Sequence, residues 1–220
     1  MSQQNEQFDE IFDVLVVGSG CGGLTAALTA DIAAPAKVLV IEKSHLIGGT
    51  SATSGWVIWI PDNHLGKEKG AEDSIAEAKQ YLQATIPEDE FNEPLIDTYL
   101  DQGPKMVKFM EDNTDARYTS LEHYPDYFQD APGVKLGNRA LEPLPVSADT
   151  LDDDVDNLHP SGPQTIVFGR YGVNFEESHA FTTQSPGWLR LFAKIFLTYW
   201  LDWYWRIKRK RTRRVAFGGA

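Results

Sequence analysis

One turn limits what this chain can fold into more than any other feature. The stretch "DVLVVGSGCGGLTAALTA" begins at Asp13. A β-branched run, Val14 to Val17, leads straight into Gly18-Ser19-Gly20-Cys21-Gly22-Gly23, and a small-residue segment follows. A second apolar run, "AKVLVIEKS" from Ala36 to Ser44, ends at Glu42, 24 positions after Gly18. A lone G-x-G-x-x-G is a weak pattern. Set between a strand and a helix, with an acid closing the next strand, it is the dinucleotide-binding fingerprint. Gly18 allows the tight turn, Gly20 lets the backbone approach a pyrophosphate, and Gly23 lets helix and strand pack closely. The helix N-terminus presents free N–H groups and a positive dipole end to phosphate. Glu42 is placed to accept hydrogen bonds from a ribose diol. Cys21 reads as a small residue of the turn and not as a nucleophile, since no His lies near it in sequence.

The segment after Glu42 separates two cofactors. "EKSHLIGGTSATSG" places a second Gly/Ser/Thr loop just past the ribose acid. Such a loop supplies further N–H and hydroxyl donors to a long cofactor lying across the sheet, which suits FAD better than NAD. The expected fold class is therefore α/β. It comprises a Rossmann-like FAD-binding βαβ unit with a mostly helical and irregular extension, the whole incomplete. Residues 1–60 read as the first part of an FAD-binding domain, 61–180 as its helical and loop extension, and 181–214 as an aromatic helix with a basic end.

Within that frame, Leu24 to Ala30 and Ser74 to Thr85 read as helices. A third helix runs from near Glu93 to about Asp112, interrupted or kinked at Gly103-Pro104. Tyr118 to Asp156 reads as irregular, with Asp152-Asp153-Asp154 a solvated loop. "TIVFG", from Thr165, reads as a short strand. Leu189 to Trp205 reads as one aromatic helix, followed by "RIKRKRTRR".

Charge divides the chain. The net charge is −12. From Phe181 onward there are nine Lys or Arg against one acid, Asp202, a surplus of eight, so residues 1–180 carry −20. An acidic body argues against nucleic acid as a partner. One cysteine excludes an internal disulfide and fits a reducing compartment. The N-terminus shows no signal-peptide pattern. The expected location is cytoplasmic. The five histidines show no metal-ligand spacing, so no metal is expected.

Together, "VVGSGCGGLTAAL", "VIEKSHLIGGTSATSG" and "WIPDNH" resemble the 3-oxosteroid 1-dehydrogenases, FAD flavoproteins of the fumarate reductase/succinate dehydrogenase flavoprotein superfamily. "HYPDYFQDAPG", "RALEPLP" and "FGRYGV" extend the resemblance over nearly the whole chain. The glycine motifs are specific only to the superfamily. The Tyr-Pro-Asp-Tyr and Trp-Ile-Pro segments point to the steroid branch. The resemblance implies dehydrogenation of ring A of a 3-oxosteroid, with an external electron acceptor. A tyrosinate takes the C2 proton, the C1 hydride goes to the flavin, and donors at the C3 carbonyl stabilise the developing charge.

Carried over by position, Gly18, Gly20, Gly22 and Gly23 belong to the pyrophosphate turn. Glu42 and Lys43 lie at the adenosine ribose. Gly48, Gly49, Thr50, Ser51, Ser54 and Gly55 form the second cofactor loop. Tyr127 is the best match to an active-site tyrosine assisting the base, with Tyr124 the runner-up; a packed aromatic with a satisfied hydroxyl is the competing reading for either. Two departures stand out. Trp56 replaces the glycine that usually follows Ser-Gly, where an indole could crowd the flavin. Family members are also more than twice as long, which places the base and the last part of the FAD site beyond Ala220 and leaves a fragment inactive alone. Two other functions remain open: a fumarate-reductase-like flavoprotein, and a non-catalytic chain. In the second, residues 188–214 make peripheral contact with a membrane or bind a partner chain.

Overall fold

The computed structural model describes residues 10–55, 57–162, 166–169, 171–210 and 213–215. The expectation about Trp56 falls outside them, as do Thr165 of the short strand and Arg170 of "FGRYGV".

The chain opens with β1 (Val14–Val17), α1 (Cys21–Ala33) and β2 (Val38–Ile41). The two strands are parallel neighbours in register, Val14 opposite Val38 and Val17 opposite Ile41. This is the expected βαβ unit. The β-branched runs suit a pleated surface, and the Ala-rich segment between them suits a helix. The strands carry a largely open face, with Leu15 59% and Val17 76% exposed. A 3₁₀ turn, Gly49–Thr53, follows.

A second layer forms from residues far apart in sequence. It comprises β3 (Ile58–Trp59), α2 (His64–Glu68), α3 (Ile75–Thr85), α4 (Glu93–Asn113), β4 (Tyr118–Ser120) and β5 (Ala140–Pro143). The strands make an antiparallel sheet of order β3-β5-β4. Val107 and Met110 of α4 pack on Ile60, Tyr118 and Leu141. Ala78 of α3 meets Ile96 and Leu100 of α4. Ser74 caps α3 by accepting from the Glu77 N–H, and Asn92 caps α4 through the Leu95 N–H. Pro104 does not interrupt α4, which runs as one helix through it. The buried stripe Ile96, Leu100, Gly103, Val107 and Met110 holds both halves against the core, and that packing outweighs one missing backbone hydrogen bond.

The extension is thus less helical and less irregular than expected. Tyr118 to Asp156 holds β4, β5 and β6 (Val146–Ser147), then a 3₁₀ segment, Ala148–Asn157. Asp152-Asp153-Asp154 lies within that segment and not in a loop. Ala148, Val155 and Leu158 are buried there against Trp205 and Val215. Strands of two to four residues are too short to leave a readable alternation.

Next come β7 (Ile166–Val167) and β8 (Tyr171–Gly172), paired with each other, then α5 (Phe175–Thr183) and α6 (Trp188–Leu201). The 180/181 division of the sequence reading falls inside α5. The aromatic helix also ends earlier than expected. It stops at Asp202, whose carboxylate accepts the Arg213 N–H at 2.7 Å. A π-helical turn, Trp205–Arg209, then buries Trp205, and β9 (Arg214–Val215) pairs with β6.

One buried acid joins β5 to α5. Glu142 of β5 is 1% exposed and accepts the N–H of Phe175 at the start of α5. Its Oε2 has no hydrogen-bond partner among the described residues. Burial pushes its pKa up to about 7, against the pull of the α5 amides.

Candidate functional site

The β1–α1 turn brings the expected residues of the first half-chain together. Gly18 has φ +97°, the left-handed region that favours glycine, and its N–H donates to Ile41 O at 2.8 Å. A methyl at Gly23 would lie 2.0 Å from Gly18 O, so helix and strand meet there with no room for a side chain. At Gly20 a methyl would stand beside the first turn of α1 in ordinary contact, with Ser51 Oγ the nearest atom at 3.5 Å. Gly22 is exposed in that same first turn. First-turn amides lack partners within the helix by construction.

The second loop docks onto this turn. Gly48 (φ +103°) and Gly49 (φ +52°) bend it. Ser51 Oγ accepts the Cys21 N–H at 3.0 Å, clipping the loop to the helix N-terminus. Thr50 and Ser51 lie in the 3₁₀ turn and Ser54 ends it, its hydroxyl donating to Ser51 O at 3.2 Å. Gly55 follows, half-buried, while Lys43 is exposed beside Glu42.

Glu42, just past the end of β2, is held against the turn. Its Oε2 accepts from the Ser19 N–H at 2.9 Å and the Ser19 hydroxyl at 2.6 Å, and its Oε1 from the Ser44 N–H at 3.0 Å. The Ser19 hydroxyl bond is the main cause that lowers its pKa to about 2, with the Ser44 and Ser19 amides adding to it. The carboxylate is therefore ionised at any physiological pH. Ser19 is a residue that motif reading passes over. It is 2% exposed, and its hydroxyl also accepts the Gly48 N–H at 3.0 Å. It ties turn, acid and second loop into one unit. A hydroxyl residue between the first two glycines, with an acid on the next strand end, is the signal that would have found it.

The tyrosines stand elsewhere, in the loop between β4 and β5. Tyr127 is 81% exposed. The Tyr124 and Tyr127 hydroxyls lie 3.3 Å apart, and Tyr124 packs edge-on against Phe175 at 4.8 Å. Tyr127's hydroxyl and partial burial push the Tyr124 phenol up to about 12.

Residues 13–160 match the FAD binding domain family. The chain belongs to that family. The turn without side chains at Gly18 and Gly20, the helix N-terminus and the anionic Glu42 fit the FAD that the domain takes. This chain is 41% identical over 149 residues to a 3-oxosteroid 1-dehydrogenase of Mycolicibacterium smegmatis, covering 68% of this chain and 26% of the relative. It is 39% identical over 172 residues to a 4-oxocyclohexanecarboxylate 2-dehydrogenase of Sinomonas cyclohexanicum, covering 78% of this chain and 29% of that protein. A solved structure is also similar, that of 3-ketosteroid delta1-dehydrogenase from Sterolibacterium denitrificans in complex with 1,4-androstadiene-3,17-dione. The TM-score is 0.83 at 37% identity, over 94% of this chain and 36% of that one. The chain thus spans about a third or less of the length of these proteins.

Proposed function

We propose that this chain is the N-terminal, FAD-binding part of an oxidoreductase that dehydrogenates ring A of a 3-oxosteroid between C1 and C2. The observation that carries this reading is the likeness to the steroid enzyme's structure over 94% of the chain. The cyclohexanone-type relative supports the same chemistry, desaturation beside a ring ketone, on a smaller substrate.

FAD, when bound, supplies the hydride acceptor. In this reading the chain's own residues bind and orient. Gly18, Gly20, Gly22 and Gly23 open the backbone to the pyrophosphate, and the α1 N-terminus faces its charge. Glu42 accepts the ribose hydroxyls on lone pairs that Ser19 and Ser44 leave free. Lys43 stands beside it at the ribose, and Gly48, Gly49, Thr50, Ser51, Ser54 and Gly55 form the second cofactor loop. Tyr127 assists the base that removes the C2 proton, with Tyr124 as its hydrogen-bond partner. The unit is Rossmann-like and is completed by further length: the open face of Leu15, Val17 and Ile41 supports additional strands and a covering layer. Turnover requires that remaining length and an external electron acceptor.

The aromatic end takes a place in the same reading. α6 buries Ile195 against Tyr171 and Val173, yet Leu197, Trp200 and Leu201 on its other side are exposed. No helix among the described residues is long and apolar enough to cross a membrane. Part of the basic end is already paired, Arg209 with Asp156 and Arg214 with Glu177. That pairing favours burial against the rest of a longer protein over peripheral contact with an anionic membrane. The protein is then cytoplasmic.

Visible absorption tests the reading. The purified chain, incubated with FAD and freed of excess, is expected to keep a flavin band that Gly20→Val abolishes. A colourless wild-type chain overturns the half-site. In protein carrying the remaining length, a 3-oxosteroid added without oxygen is expected to bleach the band. Reoxidation by fumarate with no response to steroid would favour the fumarate-reductase-like alternative.

A further inference from the structure

The residue between the two tyrosines is better held than either of them. Asp126 is 5% exposed, in a loop whose neighbours on both sides reach solvent. Its Oδ2 accepts from Arg139 Nη1 at 2.7 Å and from the Lys135 N–H at 2.9 Å. Its Oδ1 accepts from Trp59 Nε1 at 2.7 Å. The Asp126 N–H returns to Lys135 O at 2.9 Å, closing residues 126–135 into a loop. Arg139 is itself 1% exposed and makes two further bonds to Asp73, at 3.0 and 2.8 Å. Its guanidinium lies over the rings of Trp59 and Tyr81. Three donors, one from Trp59 and two from the 135–139 segment, therefore converge on one carboxylate. The Phe128 N–H adds a bond to the Tyr81 hydroxyl at 3.1 Å, fixing the far side of the loop.

An exposed tyrosine hydroxyl has no reason of its own to sit 3.3 Å from another. Rotamer freedom disperses such pairs unless the backbone beneath is fixed. Here the backbone is fixed at the residue immediately before Tyr127 and two after Tyr124. We propose that Asp126, clamped by Arg139, Trp59 and the Lys135 amide, is a positioning residue that sets the Tyr124–Tyr127 hydroxyl pair. Its relevance to catalysis rests on the reading of Tyr127 given above. The carboxylate touches neither hydroxyl. It acts through the loop backbone, as the supporting layer of a preorganised site does.

The test uses the whole chain, with tyrosine rings carbon-labelled for NMR. Two signals are read: the ring–ring NOE between Tyr124 and Tyr127, and the ionisation midpoint of Tyr124. Wild type is expected to show the NOE and a midpoint near the raised value of about 12. Tyr127→Phe should bring the midpoint down toward the ordinary value of about 10. Asp126→Asn keeps size but cannot accept all three donors. It is expected to lose the NOE and lower the midpoint as Tyr127→Phe does, with the far-ultraviolet circular dichroism unchanged. Asp73→Asn removes Arg139's other partner without touching the tyrosine loop. It should lower the melting temperature yet keep both signals. Retention of both signals in Asp126→Asn overturns the proposal, as does their equal loss in Asp73→Asn. If Asp126→Asn fails to fold, Trp59→Phe removes one donor and is expected to weaken the NOE; an unchanged NOE then overturns it. Neither readout needs FAD or steroid. Failure of steroid turnover with an intact tyrosine pair therefore counts against the proposed function and not against this assignment.

Discussion

The glycine turn at residues 18–23 is held by backbone amides and two serine hydroxyls, whereas the loop carrying Tyr124 and Tyr127 is held by ionised side chains taken out of water. Around the turn, Leu15, Val17, Leu24, Leu28, Ile32 and Ile41 are all substantially exposed. Around the loop, Arg139 and Asp126 are buried. The first region fixes a shape through conformations that other residues resist. The second fixes one through charges that must be paired to exist there at all. A shape made of backbone tolerates an unfinished core. A buried charge pair needs a finished one, which the β3-β5-β4 sheet and α3 and α4 provide.

The largest expected effect tests the charged region. Arg139→Leu leaves Asp73 and Asp126 without their partner, and loss of one member of a buried pair costs about 3–5 kcal/mol. Urea unfolding measures it. A loss below about 1 kcal/mol would mean the acids find other partners, and the contrast would fail. Next comes Glu142. Its folded pKa, about 7, lies above the ordinary 4.5. Between those values the folded state keeps a proton that the unfolded chain releases, so stability falls as pH rises through the window. The fall is roughly 3 kcal/mol at most. Unfolding at pH 5 and pH 8 should show it, and Glu142→Gln should flatten it.

The smallest effects test the turn. Gly23→Ala drives a methyl against Gly18 O and should cost about 1–3 kcal/mol, with loss of any retained flavin. At Gly22 an added methyl meets nothing within 4 Å. There Gly→Ala should raise stability by about 0.5–1 kcal/mol. Thermal melting of the pair separates a steric requirement from mere helix propensity. Equal effects would dissolve the distinction between the two glycines.

The two regions also differ in how far they could be read beforehand. The turn is written in local spacing, and the cap at Ser74 three residues before Glu77 marks α3 equally well. Residues 13–42 and the helices α3 and α4 were therefore legible, whereas α2 and α5 were not read. The tyrosine loop was legible only as a resemblance to the steroid branch. What holds it joins Arg139 to Asp73 and Trp59 to Asp126, positions more than sixty apart, and no periodicity records such a pairing. The short strands β4 to β6 were missed because two to four residues carry no alternation. The end of α6 was missed because burial of Trp205 outweighs the helical pattern running through it. Ser19 was overlooked because motif reading attends to glycines.

The β3-β5-β4 order has a consequence for how the chain is made. Ile58 pairs with Leu141, and Trp59 with Ala140. β3 leaves the ribosome about eighty residues before its partner exists. At roughly 5–20 residues per second, that is a wait on the order of 4–16 s. Until β5 arrives, Ile58 and Ile60 lack their neighbour Leu141. Closure then spans a long loop, the kind of pairing that slows folding. Newly made chain thus carries an unpaired β3 through the interval between synthesis of β3 and synthesis of β5, and unpaired strand edges favour aggregation.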